Sequence, residues 1–145
     1  MQITDKILEI LGTLTLGSEP MLNTVLYESG FGANVRMDRK PDPAAICYLL
    51  KGFEIDPSSG MRHDKVDVEI LFARRCDLNA KGEKIKETLD TLESVVDEFV
   101  SLVMDEQSWI VDGKFKAQTA YAVFDCNMVG YSLQFSLVER QGRCL

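Results

Sequence analysis

Between Asn79 and Gln107 the apolar residues Ile85, Leu89, Leu92, Val96, Phe99 and Val103 recur at alternating spacings of four and three. That rhythm lays one continuous stripe along one face of an α-helix. Val95, Val100 and Leu102 widen the stripe, so the helix is expected to lie broadly on a surface rather than along a narrow seam. Lys84, Glu87, Thr91, Ser94 and Glu98 fall on the opposite, wet face. At the usual rise per residue this helix is about 40 Å long. A lone amphipathic helix needs a partner for its apolar face, and the strand-like segments on either side supply one.

The same reading runs along the rest of the chain. Thr4 is placed as the cap of a first helix, with Asp5 in its first turn and Ile7, Leu8, Leu11 and Leu14 on its apolar side. Gly17-Ser18-Glu19-Pro20 ends it. Thr24 to Tyr27 reads as a short strand, and residues 28–43 as a long loop rich in glycine, proline and charge. Ala44 to Ile55 is apolar on both faces, with Ala45, Cys47, Leu49 and Phe53 on one and Ile46, Tyr48 and Leu50 on the other. It is expected to be a central strand, or one whose second face is covered by a partner. Pro57-Ser58-Ser59-Gly60 turns the chain into Lys65–Arg74, where Val66, Val68, Ile70 and Phe72 alternate with Asp67 and Glu69.

After the long helix, Trp109-Ile110-Val111 is expected to pack back under the sheet, and Asp112-Gly113-Lys114 to turn the chain. Ala117 to Asp125 and Val129 to Glu139 form a second hairpin, the latter with Tyr131, Leu133, Phe135 and Leu137 inward and Ser132, Gln134 and Ser136 outward. Residues 140–145 read as a frayed tail. The predicted class is α+β: an antiparallel sheet of two hairpins plus a short strand, with the long helix and the N-terminal helix packed on one face. At 145 residues, the whole of 1–145 is expected to form one domain with a proper core.

Charge and chemistry narrow the function. A formal net charge of -7 argues against nucleic-acid binding as the main task, because phosphate contacts need clustered lysine and arginine. Arg74-Arg75 is the densest basic pair, and it reads as solvated surface. The amino terminus carries Asp5 and Glu9 with no long apolar core, unlike a signal peptide, and no run is long enough to span a membrane. The expectation is a protein of the cytoplasm, or one carried out within a larger particle. Cys47, Cys76, Cys126 and Cys144 form no C-x-x-C pair and read as reduced packing residues, with Cys144 the most open to oxidation.

No reactive constellation emerges. Asp77-Leu78-Asn79-Ala80-Lys81-Gly82 begins like a calcium loop, but Lys81 and Thr88 stand where oxygen ligands are required, so a polar turn opening the helix is the reading. His63, the lone histidine, lies between Arg62 and Asp64 and reads as an exposed loop residue without a second catalytic group. Neither a nucleophile elbow nor a phosphate-binding glycine loop occurs. The expectation is no catalytic residue, no metal and no cofactor. What remains is a surface: Tyr48, Leu50, Leu71 and Ala73 share the sheet face opposite the helices with Asp67, Glu69, Ser132 and Gln134. That mixture is too apolar for a wholly wet face and too polar for a core, as at subunit contacts.

The A-x-x-C-Y-L-L-K-G strand from Ala44 to Gly52 is one of several shared features. The others are the long acidic helix opened by Asp77 to Gly82 and the closing segment from Val129-Gly130-Tyr131-Ser132-Leu133 to Gly142-Arg143-Cys144. Together they resemble the small tail-completion, or tail-terminator, proteins of prophages. The resemblance implies a sheet flanked by helices, a long flexible loop, and self-association as a ring that caps the tail tube and joins it to the head. It implies no enzyme activity, tail-tube and head-completion proteins as partners, no sequence-specific nucleic acid and no membrane. The location it implies is the cytoplasm during assembly and the virion tail afterwards. The expected subunit contact uses Tyr48 and Leu50 with Phe31, Arg36 and Arg39 of the 28–43 loop. Two other readings stay open. One is a small-molecule or enzymatic site in a pocket between the long helix and the sheet. The other is a regulatory module that docks a host protein through the loop.

Overall fold

A computed structural model describes residues 3–26, 42–76, 82–123 and 128–145, except the side chains of 22–26 and 121–123. In chain order the elements are α1 (Ile3–Leu11), β1 (Thr15–Leu16), β2 (Glu19–Pro20), β3 (Leu22–Leu26), β4 (Ala44–Ile55), β5 (Met61–Arg75), α2 (Gly82–Asp105), β6 (Trp109–Val123), β7 (Met128–Glu139) and β8 (Arg143–Cys144). The large sheet has the order β3-β4-β5-β7-β6, with β8 added to the end of β5. The class is α+β, as the sequence pattern predicts.

The apolar alternation of the strands decides which face is covered. Ala45, Cys47, Val68, Ile70, Phe72, Leu133 and Phe135 form one core with Ile7 and Leu11 of α1 and Leu92, Phe99 and Val103 of α2. Both helices therefore sit on one side of the sheet, and the stripe on α2 has the predicted register. Phe99 is fully buried, with its ring centroid 5.5 Å from that of Phe72 and 5.9 Å from that of Phe135. Tilted rings at these separations gain favourable edge-to-face contact beyond the transfer of their surface from water. The buried Trp109 Nε1–H donates to the Val103 carbonyl at 2.9 Å. It thereby satisfies one of the acceptors that every helix leaves open at its C-terminal end.

The sheet differs from the expected pattern in several places. β3 joins β4 in parallel, pairing Leu22 with Ala44 through Leu26 with Tyr48, whereas the other pairings are antiparallel. Parallel neighbours need a crossover rather than a tight turn, and the 28–43 segment supplies the chain length. α1 begins at Ile3, so Thr4 lies inside its first turn and is buried instead of capping it. The helix stops at Leu11, and Leu14 is buried beyond it. Glu19-Pro20 pairs back on Thr15-Leu16 as a small hairpin instead of merely ending the helix. β6 is one strand from Trp109, with a register shift between Asp112 and Lys116 where a turn was expected. Gly113 has φ of 87°, the left-handed conformation that a bulge asks of glycine. Residues 143 and 144 pair with Arg62 and Met61, so the tail is tied to the sheet rather than frayed.

Candidate functional site

The outer face of the sheet divides into a dry end and a wet middle. Ala44, Ile46, Leu71, Ala73 and Met128 form a second buried cluster there, with Tyr48 and Ala120 packed against it. Further along, Ser136 donates to Asp67 at 2.6 Å and Ser132 to Glu69 at 3.2 Å. Tyr48 stands at the boundary, half-buried, and the adjoining surface raises its phenol pKa by desolvation and, second, by the charge of Glu69. Leu50 is the next outward residue on β4 and is 71% exposed. Of the predicted contact residues, Tyr48 and Leu50 thus share one face, while Phe31, Arg36 and Arg39 lie outside the described residues.

Past Tyr48 the outer edge of β4 has no strand partner among the described residues, because β3 pairs no further. β4 and β5 continue together to Ile55 and Arg62 as an arm. Asp56 shapes its tip: the Asp56 carboxylate accepts from the Ser58 backbone N–H at 2.9 Å and from its hydroxyl at 2.7 Å. These bonds hold the Asp56 carboxyl below the ordinary carboxylate range. Phe53 is 54% and Ile55 41% exposed on the helix-side face of this arm. The sequence placed Phe53 with the buried residues Ala45, Cys47 and Leu49. It shares their face, but the helices do not extend over it.

Beside Phe53 lies the one charged residue buried among the described ones, Asp64. Its carboxylate pairs with Arg143 at 3.1 Å, Arg62 at 3.3 Å and Lys51 at 3.6 Å. Burial pushes the Asp64 carboxyl up, but the Arg62 hydrogen bond and the three cations outweigh it and leave its pKa below the ordinary value. The Arg62 guanidinium also stacks 3.9 Å over the Phe53 ring. Three cations thus gather about one carboxylate in a chain that is acidic overall. Alternation alone did not reveal this, since Arg62 and Asp64 interrupt the apolar face of β5 at the point where helix cover ends. The signal available in the sequence was the charged run Arg62-His63-Asp64-Lys65, which reads as a loop.

The remaining candidates occupy separate places. His63 lies in β5, not in a loop, is only half-exposed, and has Nδ1 3.3 Å from the Glu139 carbonyl. Asp77 to Lys81 fall outside the described residues; Gly82 opens α2, and the Thr88 hydroxyl donates to the Lys84 carbonyl at 3.0 Å. Among the described residues no group of three acidic, histidine or cysteine side chains is placed to hold a metal. Burial pushes the Cys47 thiol up to about 12, which makes it inert, while Cys144 is exposed with Sγ 3.4 Å from Met61 Sδ. No described helix is long and apolar enough to cross a membrane. No protein-family model matches the chain, and no curated protein matches it.

Proposed function

We propose that this chain is a non-enzymatic tail assembly protein that self-associates as a ring, caps a phage tail tube and joins it to the head. It acts in the cytoplasm during assembly and remains in the virion tail. The observation that carries the reading is on β4, where Leu50, Phe53 and Ile55 stand largely in water along a strand whose outer edge is unpartnered among the described residues. Large exposed apolar side chains on a strand that runs beyond its helix cover are a common form of subunit contact. The resemblance to tail-terminator proteins supplies the kind of assembly, and the net charge of -7 suits a ring through which DNA passes without being gripped.

Light scattering with and without added tail tubes tests the proposal. The expected result is a discrete oligomer that binds tubes, and a strict monomer that never binds them would end the reading. A small-molecule site is favoured by one feature, the depression between α2 and Tyr131 lined by Gly82, Ile85, Lys86, Leu89 and Asp90. A metabolite that raises the melting temperature in a ligand screen would promote that reading instead.

A further inference from the structure

Two surfaces of this chain are complementary in charge, and each carries exposed apolar side chains. The first is the helix-side face of the β4–β5 arm, where Phe53 and Ile55 are ringed by Lys51, Arg62 and Arg143, with Asp64 buried at the centre. Lys51, Arg62 and Arg143 outnumber the two carboxylates on this face, Asp64 and the neighbouring Glu139, whose Oε1 lies 3.5 Å from the Asp64 backbone nitrogen, and leave it net cationic. The second is the exposed side of α2. From Asp90 to Asp105 that helix carries Asp90, Glu93, Asp97, Glu98 and Asp105 on its wet side and neither lysine nor arginine. Its last turn has no basic residue, and Met104 there is 59% exposed. Carboxylates at a helix C-terminus sit against the negative end of the helix dipole, an arrangement that external cations relieve.

We infer that the arm of one copy docks on α2 of a second copy, Phe53 and Ile55 meeting the Met104 end while Lys51, Arg62 and Arg143 face the Asp97–Glu98 carboxylates. This inference rests on the self-association proposed above and names its contact. The cations are already held in place by Asp64, so docking orders few new side chains and the entropy lost is small. Complementary charge fixes which way round the copies meet and suppresses arm-to-arm and helix-to-helix pairing, where like charges would face. Because the two surfaces are different, the contact is heterologous. Repeated from copy to copy, it closes into a ring when the rotation between copies divides a full turn.

The test uses two full-length variants: Phe53→Ser with Ile55→Ser, which disables the arm, and Asp97→Lys with Glu98→Lys, which reverses the helix face. All four positions are exposed, so both variants should fold, and circular dichroism is the control that checks it. Sedimentation velocity should find each variant alone at the monomer mass. Mixed, they should form a heterodimer and nothing larger, since one arm and one helix face remain intact between them. Variants that assemble as the parent does, or a mixture that stays monomeric, would overturn the arm-to-helix contact while leaving a ring built another way. A parent that is itself monomeric at all concentrations would overturn the ring and this contact together.

Discussion

Gly130 is the residue at which the sheet is least forgiving. It pairs with Ala73, and a Cβ added there would overlap the Phe72 carbonyl oxygen and lie 2.8 Å from the Ala73 Cα. Both obstacles are backbone in the central strand, so neither swings aside. Gly130→Ala should lower stability by about 3 kcal/mol, at the upper end for overpacking, in urea unfolding followed by fluorescence of Trp109. Asp64 sets a different constraint. Its pKa is lowered in the folded protein, so its ion pairs contribute fully above the ordinary aspartate value near 3.9 and are lost as pH falls through the folded pKa. The stability gap between parent and Asp64→Asn should therefore be constant at neutral pH and shrink below about pH 4. Because the three cations are partly exposed, the neutral-pH gap should be only about 1–2 kcal/mol. Neither residue announced itself in the sequence. The overlap at Gly130 depends on strand register, and the pairing of Asp64 with Arg143 joins positions far apart in the chain.

At the scale of elements, α2 was the most legible, because its apolar stripe repeats over many turns and tertiary packing reinforces the same face. Leu89, Leu92, Val95, Val96, Phe99 and Val103 are all buried. Phe99→Asp places a charge among Phe72, Phe135 and the helix core, and should cost more than about 4 kcal/mol. A variant melting within a degree or two of the parent would contradict this packing. β4, β5 and β7 were legible for a similar reason, since alternation pairs their core faces. β6 was misread. Asp-Gly is a strong hairpin-turn signal because glycine accepts positive φ, but a bulge needs the same conformation, and the local sequence does not distinguish the two. The parallel pairing of β3 was hidden too, since direction depends on the path between strands rather than on side chains. The calcium-like start of α2 can be tested directly. Thr88 stands where a bidentate carboxylate is needed, and its hydroxyl is engaged with Lys84, so calcium or EDTA should shift the melting temperature by less than about 1 °C.

For the whole molecule, the proposed assembly makes the exposed residues of β4 the ones to test first. Tyr48 is among the expected contact residues, but its packing against the outer buried cluster makes it a poor probe, since Tyr48→Glu would also add a charge beside Glu69. Leu50 is cleaner, being 71% exposed and on the same face. Leu50 faces away from Phe53 and Ile55, so Leu50→Glu tests the Tyr48 face separately from the arm-to-helix contact: it should leave the melting temperature within about 2 °C of the parent and, where that face also meets a neighbour, shift sedimentation toward smaller species. A folded variant that assembles as well as the parent would exclude that side of β4 from the contact. The exposed apolar surface of β4 was half legible in the sequence: strand alternation located Tyr48 and Leu50 on one face, but the reach of helix cover decided that Phe53 and Ile55 are exposed.

The placement of β5 has a consequence for how the chain is made. β5 pairs Lys65 with Val138 and Arg75 with Met128, so its hydrogen bonds to β7 close loops of roughly fifty to seventy residues. Synthesis delivers β4, β5 and α2 well before β7. During that interval the central strand offers an open edge beside Val66, Val68 and Phe72, a template for pairing with any nascent neighbour. Folding then waits on the last long strand and should proceed on the millisecond-to-second scale of sheets built from distant pairings. Yield on expression should accordingly depend on how fast β7 follows, and slowing translation after α2 should drive more of the chain into aggregates than slowing it before β4.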